Sequence, residues 1–290
     1  MNIRCEKRSP AKINLILKVL RKRSDGYHEI FSVMQAVSLF DLISMEVASG
    51  EGITVRCSDP NVPSDSSNLA HRAASIFLGR SGIKRRVDIV IDKKIPAGAG
   101  LGGGSSNAAT VLMGLNDMLD AGFGEKELME AGSALGSDVP FFMLSCPAVA
   151  MGRGEILRRI ALPRYQYVLI NPGFKVSTAW AYSNLDLTKK VEDNILSYSG
   201  AYSEAVLGDI DKLKDCLAND LELATLPEHP ELTAVKKALV DSGADGALMS
   251  GSGPTVFGIY RDGAAADAAF AELKERFAAK GYFIFRVEGL

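Results

Sequence analysis

The sequence predicts an α+β protein built as two domains. Three observations carry that reading. Apolar, β-branched runs crowd the N-terminal part of the chain, and later strand-like and helix-like segments follow one another in no regular βα repeat. The stretch Leu162-Pro163-Arg164, between two strand-like runs, offers the best boundary and divides the chain into residues 1–162 and 163–290. The 290 residues, 47% apolar and 23% charged, are enough for one large domain or two smaller ones with buried cores.

Composition also excludes several classes of function. A net charge of −2 gives no global reason for nucleic acid or a membrane surface as partner. Clusters such as Lys84-Arg85-Arg86 read as solvated faces. No apolar run approaches the length of a membrane span, and no basic-then-apolar leader opens the chain. Cys5, Cys57, Cys146 and Cys216 share no metal-ligand or disulfide-framework spacing. The expectation is a cytoplasmic protein with reduced thiols, a monomer or homodimer, acting on a small molecule.

Element by element, Ile13–Val19, Ile30–Leu39, Asp41–Ala48 and Gly52–Cys57 read as strands bounded by Gly, Ser and Asp turns. Asn68 stands as N-cap before Leu69, Ala73, Ala74, Phe77 and Leu78 at helical spacing. Val87–Ile91 is a strand, followed by helices from about Ser105 to Leu119 and from Glu125 to Leu135. A turn at Gly152-Arg153-Gly154-Glu155 makes Val149–Ile160 hairpin-like, and Tyr167–Asn171 is a strand. The second half alternates helices (about Ser203–Leu217, Leu232–Ser242, Ala264–Ala279) with strands (Ala247–Met249, Thr255–Tyr260, Phe283–Val287).

The richest stretch is Pro96-Ala97-Gly98-Ala99-Gly100-Leu101-Gly102-Gly103-Gly104-Ser105-Ser106, with five glycines in seven residues. Glycine permits positive φ and brings backbone amides close to a ligand. Amides backed by a helix N-terminus form an anion site, and the usual anion is a phosphate. Gly98-x-Gly100-x-x-Gly103 also satisfies the dinucleotide fingerprint. Its context argues otherwise: several strands precede it, Pro96 intervenes, and Asp117 and Asp120 lie on or just after a helix rather than at a strand end. The loop has no Gly-Lys-Ser/Thr of a Walker A motif.

Other candidates are ambiguous one at a time. Asp138 could cap a short helix, Lys12 could snorkel from a strand edge, and Tyr27-His28 could be ordinary turn chemistry. In combination they are specific. Pro10-Ala11-Lys12-Ile13-Asn14-Leu15, Asp25-Gly26-Tyr27-His28, Pro96–Ala109, Gly136-Ser137-Asp138-Val139-Pro140-Phe141-Phe142 and Met249-Ser250-Gly251-Ser252-Gly253-Pro254 together resemble the GHMP kinases. Within that family they look like the members that phosphorylate 4-(cytidine 5′-diphospho)-2-C-methyl-D-erythritol in the non-mevalonate isoprenoid pathway. The resemblance spans nearly the whole chain.

That resemblance implies an N-terminal domain like the second domain of ribosomal protein S5 and a ferredoxin-like C-terminal domain. It implies that Pro96, Ala97, Gly98, Ala99, Gly100, Leu101, Gly102, Gly103, Gly104, Ser105 and Ser106 wrap the ATP phosphates, with Asn68 and Lys93 near the adenine. Asp138 would be the catalytic base and Lys12 its partner. Asn14 would meet the erythritol hydroxyls, and Tyr27, His28 and Tyr182 would hold the cytosine. Magnesium is expected with ATP, with Ser106 as a candidate ligand. Homoserine, mevalonate or sugar kinases are the rival readings within the family. Tyr27-His28 separates them, because those substrates have no base to stack. Outside it stand a dinucleotide-binding oxidoreductase and an RNA-binding module.

Overall fold

A computed structural model describes residues 2–189 and 202–290. The chain forms two compact units that interleave in sequence. Met1–Ala11, Leu39–Ala97 and Gly102–Ser145 make the first; Lys12–Ser38, Gly98–Leu101 and Cys146–Leu290 make the second. Two long strands, β1 (Ile3–Lys22) and β2 (His28–Ala48), contribute residues to both.

The first unit adds β3 (Gly52–Cys57), α1 (Leu69–Ser81), β4 (Arg86–Asp92), α2 (Gly103–Leu119), α3 (Glu125–Ser133) and a 3₁₀ turn at Pro140–Met143. β4 pairs antiparallel with β2, from Leu42↔Asp92 to Ala48↔Arg86, and parallel with β3, from Gly52↔Arg86 to Cys57↔Ile91. Strand alternation puts Ile43, Met45, Val47, Val87, Ile89 and Ile91 into the core. α1 buries Ala70, Ala73, Ala74 and Phe77, and these mostly small side chains let it pack closely on α2. Asn68 caps α1, its Oδ1 accepting from the Ala70 amide at 2.8 Å.

The second unit contains β5 (Ala148–Gly152), β6 (Ile156–Arg159), β7 (Gln166–Asn171), α4 (Thr178–Ser183), β8 (Ala218–Asn219), β9 (Gly246–Met249), β10 (Val256–Tyr260) and β11 (Phe283–Glu288). β5 pairs antiparallel with β2 and hairpins to β6, while β8 lies parallel to β1 at Ile16↔Ala218 and Leu17↔Asn219. A separate antiparallel sheet has the order β11-β7-β10-β9. Helix Pro230–Asp241 packs on β9 and β10, and helix Gly263–Phe277 on β7, β10 and β11. Strand, helix, two strands, helix, strand in that order is the ferredoxin-like arrangement. Its core joins Val168, Ile170, Leu239, Val256, Leu273 and Phe277.

Several boundaries differ from the sequence reading. Ile13–Val19 is the middle of a 20-residue strand. Ile30–Leu39 and Asp41–Ala48 form one 21-residue strand, not two. Asp41 looks like a break in sequence, yet it stays on the buried face because its carboxylate accepts from the amides of Lys94 (2.8 Å) and Ile95 (2.9 Å) and from Lys93 Nζ (2.7 Å). The single helix expected over Ser203–Leu217 is two, Glu204–Leu207 and Ile210–Cys216, with Asp209 capping the second. α2 begins at Gly103 and α3 ends at Ser133. α4 and helix Glu222–Glu228 escaped the reading because both are short, and the second contains Pro227.

The Asp41–Lys93 pair is nearly water-free, with side-chain exposures of 0% and 5%. Removing one member of such a pair leaves a buried uncompensated charge and costs about 3–5 kcal/mol. Asp41→Ala should therefore lose about that much stability in urea unfolding; a loss below about 1 kcal/mol would mean water or another group replaces the carboxylate.

Candidate active site

The glycine loop is shaped by hydrogen bonds to its carbonyls. In the second unit, the Ala99 carbonyl accepts from the Thr255 amide (3.3 Å), the Gly100 carbonyl from Ser250 Oγ (3.0 Å), and the Leu101 carbonyl from the Lys12 amide (2.9 Å). A trans peptide points its N–H opposite to its C=O. Holding the Ala99 and Gly100 carbonyls therefore turns the amides of Gly100 and Leu101 away from those donors. Gly100 has φ +75°, and a Cβ added there would overlap the Ser250 carbonyl oxygen. Only glycine satisfies both constraints.

In the first unit, α2 starts from Gly102, itself left-handed at φ 69°, with no side-chain cap and no acidic residue in its first turn. Neither the cap residue nor the helix's own first turn therefore offers an anion to the orphan amides and the positive end of the helix dipole. Ser106 closes the first helical bond to the Gly102 carbonyl at 2.9 Å. Its hydroxyl is fully buried and lies 2.7 Å from Ser9 Oγ, which also reaches Asn107 Oδ1 at 2.8 Å. Pro96 and Ala97 are half-buried, Gly104 is exposed and Ser105 half-buried. Lys93 is held by Asp41 and by the Ile95 carbonyl, so its charge is already matched. Asn68 has its amide on the Pro63 carbonyl (2.6 Å) and its oxygen in the α1 cap. Asp138 is half-buried just ahead of the Pro140–Met143 turn, whose N-cap position is Val139 with no side-chain cap. The capping role considered for Asp138 in sequence is therefore not the one it has.

Lys12 and Asn14 lie on β1 two residues apart, hence on one face. Lys12 Nζ donates to Asn14 Oδ1 at 2.5 Å, Asn14 Nδ2 donates to Ser32 Oγ at 2.8 Å, and Ser32 Oγ donates to the Ile16 carbonyl at 2.7 Å. All three side chains are buried, so this chain fixes Asn14's orientation and leaves little rotamer freedom to Lys12.

Tyr27 and His28 follow a tight turn between β1 and β2. Asp25 Oδ1 accepts from the Tyr27 amide (3.1 Å), the Arg23 amide donates to the Tyr27 carbonyl (2.8 Å), and Gly26 takes φ +85°. The imidazole of His28 stacks on the Tyr182 ring at 5.1 Å between centroids and 22° between planes. Tyr27 is half exposed, and the Arg153 guanidinium sits 4.7 Å over its ring. Burial, and then the charge of Lys22, push the His28 pKa below its ordinary value. Near neutral pH the ring therefore carries one donor and one acceptor. The rings of His28 and Tyr182 are closer than the ~7 Å, twice the ~3.5 Å carbon contact, that a base between them would need.

Thus the second unit brings together Lys12 with Asn14, His28 with Tyr182, and Lys12 with the loop. Sequence reasoning missed Ser32, Ser250, Thr255, Arg153 and Ser9. The signal for Ser250 was present, since the Met249–Pro254 motif was singled out without a role; Thr255 lies just beyond that motif. The dinucleotide reading loses its acidic partner: Asp117 pairs with Lys7 at 2.6 Å, and Asp120 ends α2 in a left-handed conformation.

Within the second unit, a glycine loop held by its carbonyls next to the buried Lys12, together with a stacked aromatic pair, has the parts of a small-molecule kinase site. The chain belongs to the GHMP kinases: the family's N-terminal domain model matches residues 68–146 and its C-terminal model residues 201–279. It is 49% identical over 283 residues to the 4-diphosphocytidyl-2-C-methyl-D-erythritol kinase of Syntrophotalea carbinolica, covering 97% of each chain. The enzyme of that name from Geobacter metallireducens is 45% identical over 254 residues, 87% of this chain and 88% of that one. Among solved structures, a 4-(cytidine 5′-diphospho)-2C-methyl-D-erythritol kinase superposes with TM-score 0.80 at 34% identity over 99% of this chain and 100% of that one. A homoserine kinase from Cytophaga hutchinsonii shares the fold, with TM-score 0.76 at 21% identity over 100% of this chain and 94% of that one. The chain is an ATP-dependent small-molecule kinase with the two-domain fold of this family.

Gly100→Ala should raise KM for ATP at least about tenfold, because the loop must move off Ser250 to admit a Cβ. Gly79→Ala on α1, where a Cβ meets nothing within 4 Å, should leave it unchanged and stabilise the helix by roughly 0.5–1 kcal/mol. Equal KM values for the two variants would show that loop shape is not what ATP reads.

Proposed function

We propose that the protein transfers the γ-phosphoryl group of ATP to the 2-hydroxyl of 4-(cytidine 5′-diphospho)-2-C-methyl-D-erythritol, giving the 2-phosphate, in the non-mevalonate route to isoprenoid precursors. One observation supports this acceptor above other alcohols of the family: the stacked His28–Tyr182 pair, with Tyr27 next to His28 in sequence. Homoserine, mevalonate and simple sugars present no base to such a surface. In this reading residues 1–162 are the ATP-binding and catalytic domain and residues 163–290 the C-terminal domain.

Phosphoryl transfer asks the protein chiefly for positioning and for charge stabilisation. The loop amides and the start of α2 hold the β- and γ-phosphates. Asp138 accepts the proton of the 2-hydroxyl as its oxygen bonds to the γ-phosphorus and the bond to the departing ADP breaks. Lys12 contributes positive charge to the reacting groups, held in one rotamer by Asn14. Asn14 in turn orients the methylerythritol hydroxyls, and Tyr27, His28 and Tyr182 hold the cytosine, each base–aromatic stack being worth roughly 1–3 kcal/mol. His28 offers the base edge its donor and acceptor. Asn68 and Lys93 shape the adenine side.

Among the described residues no group of three or more His, Cys, Asp or Glu assembles a metal site. Ser106, whose buried hydroxyl also accepts from Ser9, would be the protein oxygen offered to a magnesium ion brought by ATP, and such an ion would neutralise phosphate charge.

The deciding experiment is ATP consumption with the cytidylylated methylerythritol against homoserine, mevalonate and galactose; turnover only with one of the last three would reject the acceptor. Asp138→Asn should lower kcat by at least about a hundredfold while ATP still binds, and wild-type turnover would remove Asp138 from the mechanism. Protonation of His28 deletes its acceptor. Because burial lowers its pKa, KM for the acceptor should begin to rise at a more acidic pH than an unshifted imidazole would give. The same imidazole lowers stability over that acidic range, since the unfolded chain binds its proton first. A KM profile unchanged in His28→Phe would exclude the imidazole as its source.

A further inference from the structure

Ser250 touches the glycine loop, but Ser250 is itself a guest of another residue. Asn219, on β8 and only 6% exposed, donates through Nδ2 to the carbonyls of Met249 and Gly251, each at 2.7 Å. Its Oδ1 accepts from the Leu221 amide at 3.0 Å. The two carbonyls belong to the Met249–Ser250 and Gly251–Ser252 peptides, so one side-chain amide holds the peptide that enters Ser250 and the next but one, around the residue whose hydroxyl donates to the Gly100 carbonyl. The turn is closed further by the Ser250 amide on the Thr255 carbonyl (2.9 Å) and by Asn171 Nδ2 on Thr255 Oγ1 (2.8 Å).

Asn219 is anchored as firmly as what it holds. Its neighbour Asp220 accepts from the Val19 amide at 2.7 Å and pairs with Lys18 at 3.6 Å, which ties β8 to β1. β1 also supplies the Lys12 amide to the Leu101 carbonyl. One strand thus grips the loop twice, directly at Leu101 and through Asn219 and the turn at Ala99 and Gly100. We propose that Asn219 is a positioning residue for ATP binding, which sets the glycine loop by way of the Ser250–Thr255 turn. The proposal rests on the reading of Pro96–Ser106 as the ATP phosphate loop.

Asn219→Asp keeps the side-chain size and deletes both donors, setting a carboxylate oxygen against two carbonyls. In the full-length enzyme it should raise KM for ATP, and the Kd for ATP by titration calorimetry, at least about tenfold. KM for the acceptor should stay within about twofold. Ser250→Ala, removing the last link only, should show the same selectivity at about threefold. Asn219→Ser, which keeps one donor, gives the same comparison where Asn219→Asp fails to fold. A parallel rise in both KM values marks a merely structural residue and overturns the proposal, as does no change in either. Gly100→Ala separates the two levels. If it impairs ATP binding while the Asn219 variants do not, the loop reading stands and the role of Asn219 falls; if it leaves ATP binding intact, the loop reading and the proposal fall together.

Discussion

Three backbone carbonyls, those of Ala99, Gly100 and Leu101, are held from behind, and the geometry of the phosphate loop depends on that. A glycine-rich segment has large conformational entropy to lose, so glycines alone would give a flexible chain rather than a site. Here the entropy is removed by donors from three places in one compact unit: the Lys12 amide, the Ser250 hydroxyl and the Thr255 amide. The loop can be glycine-rich for close approach and still arrive at its ligand preorganised, which is where electrostatic catalysis gains most.

The two buried lysines of the motifs show how partners decide role. Lys93 faces a fully buried carboxylate, and its ion pair braces the segment leading from β4 into the loop. Lys12 donates to the amide oxygen of Asn14, which helps to orient the ammonium. Ser32 completes the arrangement by fixing the other end of Asn14, so a serine on β2 that no motif includes governs two motif residues on β1.

The acceptor side uses different physics. His28 and Tyr182 come from distant parts of the chain and meet as a stacked pair, while Tyr27 is covered on one side by Arg153. Such a surface recognises a flat ring by contact area and quadrupole, and the neutral imidazole adds direction through its donor and acceptor. The depressed pKa of His28 is part of this device, since it keeps the acceptor lone pair available across the neutral range.

What the sequence determined by itself was local and compositional. Hydrophobic periodicity placed β3, α1, β4, β7 and β9 to β11 to within a residue or two, and Asn68 announced its own helix cap. Glycine spacing located the loop, and five separated motifs pointed to the family. Tertiary structure decided the rest, because the deciding partners lie far away along the chain. Asp41 reads as a strand break until the amides of Lys94 and Ile95 are seen to satisfy it. Lys93, placed near the adenine by resemblance alone, is seen only in the structure to pair with Asp41. Ser32 and Asn219 carry no signal of their own, since an isolated serine or asparagine has many uses and only its hydrogen-bond partners select one. The glycines in Pro96–Ser106 specified a loop free to take positive φ; the carbonyl partners from β1 and the Ser250–Thr255 turn decided the shape it takes.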